Sequence, residues 1–160
     1  VKTIVICGGG SKSGKTRAAM FLSSVLPNAY VIKLGSGTFN EEKDVPLFPV
    51  DADFRDFSDT IPPETEYLII ESGHIANKIS PDCLVFIEKD YAGNSQRTEF
   101  AEPKESTRWL REKADLVSGK IVTCQKACEI AHRLGIQKHL IGHILNTLEI
   151  KVTNCQIGLF

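Results

Sequence analysis

The feature that most restricts what this chain can fold into stands near its start. The apolar run Thr3-Ile4-Val5-Ile6-Cys7 passes directly into Gly8-Gly9-Gly10-Ser11-Lys12-Ser13-Gly14-Lys15-Thr16. The segment that follows carries Ala18, Ala19, Phe21, Leu22 and Val25 before Pro27 stops it. A short apolar run bounded by glycines is the pattern of a buried strand, and the later spacing predicts a helix over 15–26. Runs at 29–34, 67–71 and 83–88 read as further strands. They are nearly continuous in apolar residues, which is what a parallel sheet covered on both faces requires. The expected fold is therefore a layered α/β domain with a mostly parallel sheet.

The residues from Gly9 to Thr16 fit G-x-x-x-x-G-K-[ST], and they lie between a predicted strand and a predicted helix, the setting in which this pattern forms a phosphate-binding P-loop. Glycines let the backbone close around a polyphosphate, and the helix N-terminus directs unpaired N–H groups and its positive dipole end at the anion. Gly9, Gly10, Ser11, Lys12, Ser13, Gly14, Lys15 and Thr16 are thus the expected nucleotide-binding residues. Lys15 is assigned to the β- and γ-phosphates, as a catalytic residue, and the Thr16 hydroxyl to Mg²⁺. Lys12 reads better as a solvated lysine than as a second phosphate ligand.

A nucleotide site of this kind also needs an acid near the metal, commonly at the end of a neighbouring strand. Tyr67-Leu68-Ile69-Ile70-Glu71-Ser72-Gly73 supplies Glu71 at that place, and Glu71 is the leading metal-organising and catalytic carboxylate. Residues 35–66 break the regular pattern with Pro46, Pro49, Pro62 and Pro63 and a series of acids. An irregular stretch of that length commonly serves a site. Asp51 and Asp53, closest to the apolar run 45–50, are the alternative metal acids. A second polar loop is expected over 90–102, followed by a helix from Pro103 to about Ala114.

The N-terminal strand, the P-loop, the short second strand and the later strand ending in Glu71-Ser72-Gly73 resemble the P-loop proteins of molybdopterin-guanine dinucleotide biosynthesis, the GTP-binding adaptors of that pathway. Dethiobiotin synthetase and related ATP-dependent ligases are similar in the same places. The resemblance covers about the first two-thirds of the chain. It implies a nucleotide-binding accessory protein with weak hydrolysis, Mg²⁺ with GTP or ATP as ligand, and a protein partner in cofactor biosynthesis; a homodimer is compatible with it. In those families the strand ends in Glu-Gly, whereas Ser72 intervenes here. No Asn-Lys-x-Asp motif follows either, since Asn77-Lys78-Ile79-Ser80 lacks the aspartate that reads guanine, so the base stays open. An ATP-dependent ligase or kinase acting on a small metabolite is the enzyme-class alternative, and a nucleotide-responsive DNA-binding regulator is the third.

From Ser118 the pattern changes, which divides the chain into a nucleotide-binding domain over 1–117 and a C-terminal module over 118–160. Ile130, Ala131, Leu134, Ile136, Ile141 and Ile144 have the spacing of a helix-turn-helix, with Gly135 at the turn and a strand expected over 149–153 as a wing. The second helix is expected to expose Gln137, Lys138, His139, His143 and Asn146. Only Lys138 of these is a reliable cation, so packing or protein binding is favoured over DNA contact. Cys124, Cys128 and His132 repeat at helical spacing with Cys155 downstream. One helix face cannot wrap a metal ion, because the first and last of these stand about 12 Å apart along the axis. At most two of them could ligate one zinc ion or iron-sulfur centre together with Cys155, and the favoured reading is small buried thiols in a helical core.

The whole chain has 160 residues, room for one typical domain or a compact domain with a small appendage, and a formal net charge of −1 gives no basic field for nucleic acid or anionic lipid. Five unevenly placed cysteines do not form a disulfide framework. No apolar stretch spans a bilayer and no secretory layout opens the sequence, so the expectation is a cytoplasmic protein without membrane contact.

Overall fold

The computed structural model describes residues 1–9, 13–35, 45–88 and 105–155. Gly10, Ser11 and Lys12 of the glycine-rich loop, and the loop expected over 90–102, lie outside the described residues.

Strand β1 (Lys2–Gly8) leads through the glycine-rich loop into helix α1 (Lys15–Val25), and β2 (Ala29–Leu34) follows. A two-residue strand β3 (Leu47–Phe48) and a single-turn helix α2 (Phe54–Phe57) come next, within the stretch expected to be irregular. Then come β4 (Tyr67–Glu71), β5 (Cys83–Ile87), α3 (Glu105–Lys113) and β6 (Leu116–Val117). The chain continues through β7 (Ile121–Thr123), α4 (Cys124–Leu134), α5 (Lys138–Thr147) and β8 (Lys151–Thr153).

Among the described residues, six strands form one sheet in the order β3-β2-β4-β1-β5-β6, with every neighbouring pair parallel. The protein is therefore mixed α/β with a mostly parallel sheet. Every residue of β4 and β5 is buried, the consequence of apolar side chains on both faces of a covered strand. Strand alternation sorts the core into two layers. Ile4, Ile6, Tyr67, Ile69, Cys83, Val85 and Ile87 face α1, α4 and α5. Val5, Cys7, Leu68, Ile70, Leu84 and Phe86 face the opposite side, where Phe57, Ile75 and Leu110 cover them.

The first layer crosses the boundary expected at Ser118. Ala127, Ile130, Ala131 and Leu134 of α4 and Ile141, Ile144 and Leu145 of α5 pack in the same cluster as Ala18, Ala19 and Leu22 of α1. The Tyr67 hydroxyl donates to the carbonyl of Leu134 at 3.0 Å, fixing the end of α4 to β4. Gly135 has φ 70°, the left-handed conformation that ends α4. The expected wing strand is shorter, Lys151–Thr153. Glu149 has φ 56° and belongs to a turn, while Lys151–Thr153 pairs parallel with Ile121–Thr123, so no hairpin forms. A parallel pair needs a long crossover, and α4 and α5 together provide it.

Candidate functional site

All strands of a parallel sheet end at one edge, and here that edge gathers the polar groups. Gly14 has φ 90°, a left-handed conformation at the start of α1 that lets the chain turn from the loop into the helix. Thr16 lies in the first turn of α1. Its hydroxyl donates to Oε2 of Glu71 at 2.7 Å, across 55 residues of sequence. Glu71 stands beside Ile6 in the β1–β4 register and beside Lys33 in the β2–β4 register. It shares parity with Tyr67 and Ile69, so its carboxylate lies on the α1 face of the sheet. Although charged, Glu71 is only 5 % exposed.

Burial of a carboxylate demands partners. Besides Thr16, Lys33 supplies one: its Nζ lies 3.6 Å from Glu71 Oε1. Lys15 Nζ donates to the hydroxyl of Ser13 at 3.0 Å, and Ser13 is fully buried. Burial holds the Lys15 ammonium below the ordinary lysine range; Glu71 opposes that shift and Lys33 adds to it. Two ammonium groups and one carboxylate thus share a partly desolvated edge, which leaves excess positive charge to meet an anion. Beneath the loop, the buried Cys7 thiol donates to the carbonyl of Val85 at 3.4 Å and is pushed up to about 12 by burial, which makes it a packing residue.

The strand end after Glu71 is shaped by Ser72. Its hydroxyl accepts from the backbone N–H groups of His74 and Ile75 at 3.1 and 3.2 Å and starts the short 3-10 turn Ile75–Asn77. Lys78, just beyond, reaches back to the other candidate acids. Its Nζ pairs with Asp53 Oδ1 at 2.6 Å and donates to the backbone carbonyl of Asp51 at 2.8 Å. Asp53 is engaged as well at the start of α2, where its N–H donates to Asp56 Oδ2 at 2.7 Å. Thr16 pairs with Glu71 while Asp53 pairs with Lys78, and among the described residues no group of three or more His, Cys, Asp or Glu is arranged around one metal position.

The structure therefore brings Ser13, Lys15, Thr16 and Glu71 together, sets Asp51 and Asp53 against Lys78, and leaves Gly9 as the described start of the motif. Lys33 was not legible as a site residue. Its single signal is a lysine next to the end of a strand whose other residues are apolar or aromatic. No family model, no curated protein and no solved structure matches this chain.

Proposed function

We propose that this chain binds a Mg²⁺-nucleotide, GTP or ATP, at the glycine-rich loop, as a P-loop protein. The observation that carries the reading is the hydrogen bond from Thr16 to a buried strand-end carboxylate, Glu71, with Lys15 in the same helix turn. A hydroxyl and a carboxylate are hard oxygen donors, the type Mg²⁺ takes, so the residues fit that ion. Thr16 would hold it and Glu71 would order its hydration shell. Bound there, Mg²⁺ would neutralise charge on the β- and γ-phosphate oxygens. Lys15 binds the same phosphates, and its desolvation strengthens that attraction. A carboxylate already engaged by Thr16 and Lys33 is a poor general base, which suits weak hydrolysis.

On the sequence resemblance, the biological role in this reading is that of an accessory protein of molybdopterin-guanine dinucleotide biosynthesis with a protein partner. The tail is read as a helix-turn-helix-like module. Gln137, Lys138, His139, His143 and Asn146 are all exposed, and with Lys138 the sole lysine or arginine among them a protein surface suits this face better than DNA. Lys33 favours a second reading. Its ammonium stands beside the phosphate-binding edge, where it could hold the anionic acceptor of an ATP-dependent ligase or kinase.

The test is a thermal melt with Mg²⁺ and ATP or GTP. Ligand at a hundredfold excess over Kd stabilises the folded chain by about 2.7 kcal/mol. Lys15→Ala should abolish that shift. Glu71→Gln should remove the dependence on Mg²⁺ and preserve metal-free nucleotide binding. Unchanged melting with both nucleotides at millimolar concentration would overturn the reading. If Asp51→Asn or Asp53→Asn removes the Mg²⁺ dependence while Glu71→Gln is silent, the metal acid lies in the 45–66 segment.

A further inference from the structure

The cysteines fall into two groups. Cys7 and Cys83 are buried in the sheet, and burial pushes each up to about 12, which makes them unreactive. Cys124, Cys128 and Cys155 are half-buried and lie together at the opposite end of the chain. The β7–β8 register explains the meeting. Thr123 stands opposite Thr153, so the first residue of α4 and the segment leaving β8 emerge side by side. Cys124 Sγ donates to Cys155 Sγ at 3.5 Å, and Cys128, one helical turn along α4, adds its thiol to the same cluster. Two half-exposed thiols in hydrogen-bond contact, with a third one helical turn away, are not the closed packing of a helical core. They do not form a metal-binding arrangement either, since no such group of three occurs among the described residues.

We infer that Cys124 and Cys155 form a reversible disulfide, making this end of the chain a thiol–disulfide exchange site whose co-substrate is a small disulfide of the glutathione type. The sulfur atoms need only close from 3.5 Å to about 2.0 Å, and side chains at a half-exposed surface have room to rotate. The Cys124 thiol is pushed up to about 11, first by its hydrogen bond to Cys155 and then by its surroundings and the neighbouring thiols. It therefore keeps its proton and stabilises negative charge on the sulfur it donates to. The Cys155 thiolate attacks one sulfur of the glutathione disulfide, forming a mixed disulfide and releasing a glutathione thiolate, which takes up the proton lost by Cys155. Cys124 then loses its proton to the second departing glutathione as its sulfur attacks Cys155 Sγ. The sum is two protein thiols and one glutathione disulfide converted to one protein disulfide and two glutathione thiols. The bond encloses α4, α5 and β8 and ties the end of β8 to the start of α4.

The experiment exposes the reduced full chain to a graded glutathione redox buffer, without denaturant, and follows it by intact mass and non-reducing peptide mapping. The expected product has lost about 2 Da, retains no glutathione, and links the peptides of Cys124 and Cys155. Its melting temperature rises by roughly 5–10 °C and returns on reduction. Cys128→Ser should form the same bond, and Cys124→Ser should stop at a glutathione adduct on Cys155. A bond that includes Cys128, a stable glutathione adduct on the unaltered chain, or no mass change across the buffer series would each overturn the inference.

Discussion

Gly8 lies one residue before the G-x-x-x-x-G-K-T motif, yet it is a glycine that packing demands. A Cβ there would stand 2.6 Å from the carbonyl oxygen of Ile87 and 2.9 Å from Ser13 Oγ, whereas one on Gly9 would meet nothing within 4 Å. The first neighbour is backbone of β5, paired with Gly8 in the sheet register, so it has little freedom to retreat. Gly8→Ala should destabilise the protein by about 1–3 kcal/mol and displace Ser13, the hydrogen-bond partner of Lys15. Gly9→Ala should change the stability of the chain by less than about 0.5 kcal/mol. Urea unfolding of the two variants checks the contrast, and equal losses would mean that the loop, not the β5 contact, sets the requirement. Nothing in the spacing of three consecutive glycines ranks them. The ranking depends on Ile87, which lies 79 residues away in the chain.

At the scale of elements, strands with continuous apolar runs were legible, and β2 and β4 occupy the stretches their runs marked out. The short pieces were not. β3 has two residues and owes its existence to the open edge of β2, where Lys33 donates its N–H to the carbonyl of Pro46 at 2.9 Å. β7 is equally hidden, since Ile121–Thr123 becomes a strand only by pairing with β8. The turn between α4 and α5 was legible because glycine is the residue that takes positive φ without cost. Gly135 has φ 70° and open space around its Cβ position, so the penalty of substitution is conformational and not steric. Gly135→Val should lower stability by about 1–3 kcal/mol and leave the proposed nucleotide binding nearly unchanged. Chemical denaturation paired with nucleotide titration separates the two effects; lost affinity in a folded variant would show that the tail contributes to the site.

At the scale of the whole molecule, Asp115 couples the tail to the sheet. Its Oδ2 accepts from the N–H of Leu84 at 2.9 Å, and its Oδ1 meets Arg133 at 2.6 Å and Lys126 at 3.3 Å, both on α4. Burial acts to raise the Asp115 carboxyl, but the hydrogen bonds and charge of Arg133, Leu84 and Lys126 outweigh it and hold the group below its ordinary 3.8. Below that value the unfolded chain takes up a proton before the folded one does. The stabilisation is therefore complete above 3.8 and is lost as pH falls through the lower folded value. Asp115→Asn should cost about 2 kcal/mol at neutral pH, with the difference from the parent shrinking in strong acid. Denaturation measured across that pH range tests it, and a pH-independent difference would place the cost in packing instead of charge.

The sequence alone was enough to set the class of fold and the character of its first turn, because strand runs, helix spacing and glycine punctuation are local patterns that act through the nearest few residues. It also marked Lys15, Thr16 and Glu71 as residues to watch. Which groups meet is set by the packing of the whole chain. Thr16 finds Glu71, while Asp53 finds Lys78. Lys33 enters the edge through the β2–β4 register, and Cys124 reaches Cys155 through the β7–β8 register. These pairings depend on strand order and crossover, which are fixed when α1, α4 and α5 bury one face of the sheet together. That burial is a sum over the whole core, so no short segment carries the information alone.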